Sequence, residues 1–158
     1  MGAQSVRSRI PAAGRDLYGR PVKSPWKQLQ QIDAHREYVA LASLIPPKSR
    51  GSTLRLFKGS RAVAKQMAST PGVVGFSMLA RPVRKEYATL SLWVDDAALD
   101  AFARAMPHAR LRDALAREMG ETTFVRWTVK GSDGVPSWRD AFARLASSTA
   151  SDERHQLH

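Results

Sequence analysis

Tyr87, Thr89, Ser91 and Trp93 carry the spacing from which a site could be built. Side chains alternate between the two faces of an extended strand. These four therefore share one face, and Ala88, Leu90, Leu92 and Val94 share the other. The first set is half aromatic and half hydroxyl. Such a face suits the wall of a cavity in which a few polar groups orient a mostly apolar ligand. It also suits a solvated or partner-packed sheet face. Phe76 and Phe124 are the aromatic residues that could extend it.

Two charged or titratable residues complete the candidate set. His108 shares a helical stripe with Leu111 and Leu115 and is expected to point inward, toward the sheet. An imidazole there can donate, accept or ligate a metal. It can equally be a helix-junction histidine bonded to backbone. Arg126 stands between Val125 and Trp127. Buried, it would stabilise a developing enolate or peroxy anion; exposed, it is a surface charge. His35, His155 and His158 fall in the flanks, so spacing argues against a multi-histidine metal site. Haem ligation by His108 needs one histidine only. There are no cysteines, which excludes disulfides and thiolate metal sites. No phosphate loop, nucleophile elbow or paired-carboxylate signature is found.

The elements that must position these residues can be read in order. Glu37 to Ile45 reads as a strand with both faces covered, ended by Pro46-Pro47. Leu56, Ser60, Val63 and Met67 form a helical stripe, with Gly59 placing the firm start near Ser60. Val73 to Arg81 and Tyr87 to Val94 are strands joined by a charged turn after Pro82. Asp95 or Asp96 caps a helix with Leu99, Phe102, Ala103 and Met106 as its stripe. Pro107 breaks it, and a further helix ends at Gly120. Thr122 to Val129 is a strand, and Ser137 caps a last helix through Leu145. The order predicts an α+β fold: a ferredoxin-like βαββαβ unit with one extra C-terminal helix. Two helices would cover one sheet face, and a second copy would cover the other.

The chain's 158 residues suffice for one domain with a real core. Residues 1–33 read as a basic, flexible N-terminal arm, with Trp26 and Leu29 able to anchor its end. Residues 34–146 form the folded domain and 147–158 a polar tail. The net charge of +11 is concentrated in residues 1–60, with 11 Lys and Arg against 3 Asp and Glu. A basic flank can bind nucleic acid, or it can be a solvated tail; aromatic interleaving there is thin. No apolar run reaches membrane-spanning length and no secretory signal is seen, so cytoplasmic residence is expected.

The runs PGVVGFSMLA, TLSLW, DDAALDAFARAMPHA and FVRWTVKGSDGVPSWRDAFARL resemble monooxygenase-like proteins of the dimeric α+β barrel superfamily. The resemblance covers about residues 37–145. It points to the spheroidene monooxygenase-like and DUF3291-like branches, and more distantly to the antibiotic biosynthesis monooxygenases. It implies a homodimer of sheet-to-sheet packed subunits. It also implies a pocket between sheet and helices or within the barrel, and oxidation of an apolar polycyclic or polyene molecule. The cofactor would be none, or haem as in the carotenoid-oxidising branch. Trp93 matches a strand-end tryptophan, His108 a histidine after the second helix, and Arg126 roughly an arginine assigned to chemistry. The asparagine of the antibiotic-monooxygenase branch has no clear counterpart; Thr89 or Ser91 stands near its place. Tyr87, Thr89, Ser91, Trp93 and Phe76 would then contact substrate, with His108 and Arg126 catalytic. The reading of a different class is a non-catalytic module binding a small ligand, or nucleic acid through the basic arm.

Overall fold

The computed structural model describes residues 22–81, 84–105 and 108–155. The first part of the N-terminal arm, the Pro82 turn, the Pro107 break and the last residues of the tail lie outside them. The strands are β1 (Val22–Lys23), β2 (Lys27–Gln28), β3 (Glu37–Ile45), β4 (Val73–Arg81), β5 (Glu86–Trp93) and β6 (Thr123–Lys130). The helices are α1 (Arg50–Ser69), α2 (Asp96–Arg104), α3 (His108–Leu115) and α4 (Trp138–His155). The core sheet runs β6–β3–β5–β4, antiparallel throughout. This is the order of a ferredoxin-like βαββαβ unit, with α4 as the extra C-terminal helix.

Local chemistry sets the helix starts. The Ser49 hydroxyl accepts from the Ser52 amide at 3.0 Å, and Asp95 accepts from the Ala98 amide at 2.8 Å. The Ser137 hydroxyl accepts from the Asp140 amide at 3.1 Å. The last two are the caps expected from sequence. The first moves the start of α1 ten residues ahead of Ser60. Gly59 costs that helix about 1 kcal/mol, and buried Leu56, Val63 and Met67 offset it. Gly72 ends the α1–β4 turn at φ +91, a conformation that L side chains rarely adopt, and a Cβ there would strike Ala98.

Both sheet faces are covered within the chain. One carries Leu41, Ser43, Tyr87, Thr89, Ser91, Trp93, Phe76 and Phe124 and lies under α1 and α2. On the other, Ala42 and Leu90 pack against Ala141, Leu145, Trp138 and Phe142 of α4, and Ala40 and Leu92 against Tyr38 and Val129, with Trp26 beside both groups. A bulge in β4 between Val73 and Gly75 puts Val73 and Phe76, three residues apart, in the same core, while Val74 faces the other. From sequence, two helices are expected on one sheet face and a second copy on the other; in the structure the chain's own helices cover both. Tyr87, Trp93 and Phe76 are buried under the chain's own α1 and α2, and α4 seals the aliphatic face.

Both flanks also extend the fold further than their composition suggests. Val22–Lys23 and Lys27–Gln28 pair with β4, and the Leu29 amide bonds to the Val74 carbonyl at 2.8 Å. The Trp26 ring lies on Gly75 so closely that a Cβ there would sit 2.5 Å from it. Polar side chains hide α4's length. Ser147 and Thr149 bond back to the carbonyls of Ala143 and Leu145, so the helix absorbs its own hydroxyls and continues to His155.

Trp26→Ala should therefore destabilise the chain, by somewhat less than the ~3–5 kcal/mol of a fully buried aromatic. Gly75→Val displaces the same ring, so the double variant should lose less than the sum of the two. Urea titration checks both; an unchanged midpoint in Trp26→Ala would show that the ring does not pack.

Candidate functional site

Three short side chains in the middle of the sheet create the site. Ser43, Thr89 and Ser91 stand beneath α1 and α2, where larger aliphatic groups would otherwise fill the layer. A cavity of about 490 Å³ results. Its floor is Leu41, Ser43, Ile45, Phe76, Met78, Tyr87, Thr89, Ser91 and Trp93. Its roof is Leu56, Ser60, Val63 and Met67 of α1 with Leu99, Phe102 and Ala103 of α2. The exposed members of the lining are Arg112, Phe124 and Arg126, so the cavity opens beside β6.

The hydroxyls are arranged in short, separate pairs. Trp93 is completely buried, packs at a tilt against Phe102 with 5.1 Å between ring centres, and donates from Nε1 to Ser91 Oγ at 2.8 Å. Ser91 Oγ in turn reaches the Leu41 carbonyl at 3.5 Å. The Tyr87 hydroxyl donates to Met78 Sδ at 2.9 Å. Burial raises its pKa above the ordinary tyrosine value, against the opposing effect of a hydrogen bond from Ser60. Tyr87 is thus a neutral phenol at physiological pH. Ser43 Oγ and Thr89 Oγ1 bond to each other across β3 and β5.

The sequence-predicted residues are only partly brought together. Phe76, Tyr87, Thr89, Ser91 and Trp93 all line the cavity. Arg126 reaches its mouth, but its guanidinium is spent on α2: Nη1 bonds to Asp96 at 2.6 Å and Nη2 to Asp100 at 3.1 Å. The Asp96 bond keeps the guanidinium charged against desolvation, and Asp100 adds to it. Its side chain is 43% exposed, so it is a mouth residue rather than a buried cation. His108 begins α3, directly after the break; its side chain lies outside the described residues. Ser43 and Ser60 were missed from sequence. The strand parity of Ser43 on β3 was available, but its cross-strand partner Thr89 follows only from the register.

No group of three His, Cys, Asp or Glu side chains among the described residues could hold a metal ion. The described lining supplies neither an imidazole nor a thiolate as an axial haem ligand. The histidine expected to ligate haem, His108, has its side chain outside the described residues.

No family model and no curated protein sequence matches the chain. Solved structures do. A protein of Fusobacterium nucleatum, provisionally named a monooxygenase, superposes with a TM-score of 0.58 at 9% identity, over 66% of this chain and 48% of that one. The chain thus spans about half the length of that structure. An antibiotic biosynthesis monooxygenase superposes with a TM-score of 0.52 at 17% identity, over 62% of this chain and 99% of that one. A conserved protein of Methanosarcina mazei gives 0.53 at 10% identity, over 60% and 94%. At such identities the likeness is one of fold: the chain has the ferredoxin-like α+β fold of the monooxygenase-like structures.

Trp93→Ala is expected to cost ~3–5 kcal/mol in denaturant titration, as a fully buried aromatic does. Arg126→Ala should cost under about 1 kcal/mol, since its partners are solvent-exposed. Stability carried by Tyr87 is complete below the unfolded tyrosine pKa of about 10 and is lost as pH rises above it through the raised folded value. Tyr87→Phe should flatten that alkaline decline, read from unfolding midpoints across a pH series; an identical slope would refute the buried phenol.

Proposed function

We propose that this chain is a monooxygenase-like protein that oxidises an apolar polycyclic or polyene small molecule held in the cavity under α1 and α2. The observation that carries this reading is the cavity itself. It is enclosed mainly by aromatic and aliphatic side chains with a few hydroxyls, and its size lies within the roughly 300–1,000 Å³ of small-molecule sites. The fold shared with monooxygenase-like structures supports it. In a cofactor-free oxygenation the substrate supplies the electrons: an activated methylene and dioxygen become a carbonyl and water. Phe76, Tyr87, Thr89, Ser91 and Trp93 would contact the substrate. His108 would take the substrate proton as general base. Arg126 would stabilise the oxyanion after Asp96 or Asp100 releases one side of its guanidinium.

That requirement on Arg126 favours a second reading, a small-molecule binding protein on the same fold. A guanidinium already matched by two carboxylates offers little net positive field to a reaction inside the cavity. The homodimer implied by the resemblance would use the free edge of β6, where Phe124 is 59% exposed, because α4 and Trp26 occupy the outer sheet face.

The test is incubation of the purified chain with polycyclic ketones and polyenes under isotopically labelled dioxygen, read by mass spectrometry. The expected result is a product carrying one labelled oxygen atom. Leu41→Trp, which fills the cavity, should abolish it, and His108→Ala should slow it by about a hundredfold or more. Binding without any labelled product would select the binding protein; no binding by any probe would overturn both readings.

A further inference from the structure

A count of hydroxyl protons along the sheet floor of the cavity singles out one pair. The Tyr87 proton goes to Met78 Sδ, and Ser60 bonds to the Tyr87 oxygen. The Ser91 proton faces the Leu41 carbonyl, and the Trp93 N–H is taken by Ser91. These groups have closed their donors on protein atoms. Ser43 and Thr89 have not. Each hydroxyl carries one proton and two lone pairs. The bond between them uses one of the two protons. Among the described residues no other group bonds to either hydroxyl, so one O–H of the pair remains to donate. Ser43 is buried and Thr89 faces the cavity. Whichever hydroxyl gives its proton to the other, the acceptor's own O–H is the one left over.

We propose that the Ser43–Thr89 pair is a specificity-determining anchor that donates a hydrogen bond to a neutral carbonyl oxygen on an otherwise apolar, rigid ligand. The inference rests on the proposed function only in taking the cavity as a small-molecule site. A buried donor left unpaired costs more than a made bond gains, which favours a ligand with an acceptor at that point over a plain hydrocarbon. An anionic acceptor is disfavoured. The cations of the described lining, Arg112 and Arg126, are at the mouth and bonded to Asp113, Asp96 and Asp100, and an unpaired anion over the central strands would lose its hydration. The rest of the lining, from Leu41 and Phe76 to Val63 and Phe102, offers contacts to ring carbons. Ligands of this class are cyclic ketones and quinone-type molecules.

The pair also makes an unusual prediction for single variants. Ser43→Ala leaves Thr89 with its own proton, and Thr89→Val leaves Ser43 with its own. Either single variant keeps a donor; only the double variant has none. The probes are fluorenone and fluorene, which share one ring skeleton and differ by a carbonyl in place of a methylene. Calorimetric titration of the full chain should show fluorenone preferred by about tenfold, the scale of one neutral hydrogen bond. Each single variant should keep that preference within about threefold. The double variant should lose it while binding fluorene as before, which also reports that the variant is folded. The carbonyl stretch of bound fluorenone should shift to lower frequency in the unsubstituted chain, a reading that needs no variant. Equal binding of the two probes, an unshifted carbonyl band, or a preference that survives in the double variant would overturn the anchor and leave the cavity standing. Failure of both probes to bind would overturn the anchor and the cavity reading together.

Discussion

The central strand β5 must satisfy two cores at once, and the rest of the structure follows from how it does so. It is flanked by β3 and β4, so its backbone is hydrogen-bonded on both edges and neither face can be given to water cheaply. Leu90 packs under α4 and Leu92 against Tyr38, Val74 and Val129, while Tyr87, Thr89, Ser91 and Trp93 meet α1 and α2. Trp93 is the pivot of the second set. With no exposed surface, it touches Phe102 of the following helix and bonds to Ser91 one turn of the pleat away. The strand end and the start of α2 are thereby locked together. The cavity begins where the large ring stops and the short hydroxyl side chains take over.

Closure of the outer face changes what the fold can do. A ferredoxin-like sheet with only its two crossover helices leaves an apolar face that a second copy can cover. Here α4 brings Ala141 and Leu145 down onto Ala42 and Leu90, and the segment around Trp26 completes the layer. Two small residues make this contact: Gly75 admits the indole, and Ala42 admits the helix. The cavity under α1 and α2 is consequently built from one chain's side chains, and its opening beside β6 is ringed by that chain's own charges.

Those charges bear on chemistry. Arg126 ties the edge strand β6 to the first turns of α2 through Asp96 and Asp100. Asp96 also lies at the positive end of the α2 dipole, which favours it there independently of Arg126. The ion pairs are exposed and individually weak, so they order the mouth more than they stabilise the fold. Deeper in, electrostatics is replaced by neutral hydrogen bonds in an apolar shell, an environment in which one unpaired hydroxyl discriminates between ligands more sharply than a solvated charge does.

The sequence alone determined the βαββαβ order, the extra helix and the lining role of alternate β5 residues. Strand alternation and capping residues are local signals, and Asp95 and Ser137 cap where their chemistry requires. It also placed Trp93 and Phe76 on the hydroxyl-bearing face, where both line the cavity. Tertiary structure decided which layer each face met. Both faces of β5 are compatible with a helix roof, and the choice depends on α4, whose continuation past Ser147 is masked by hydroxyls that bond to their own helix. The placement of Arg126 was likewise invisible, since Asp96 and Asp100 lie 30 and 26 residues away in sequence. Ser43 shows the limit most plainly: its neighbour across the strands is Thr89, 46 residues on. No local pattern contains that pairing, because register is set by the packing of the whole sheet.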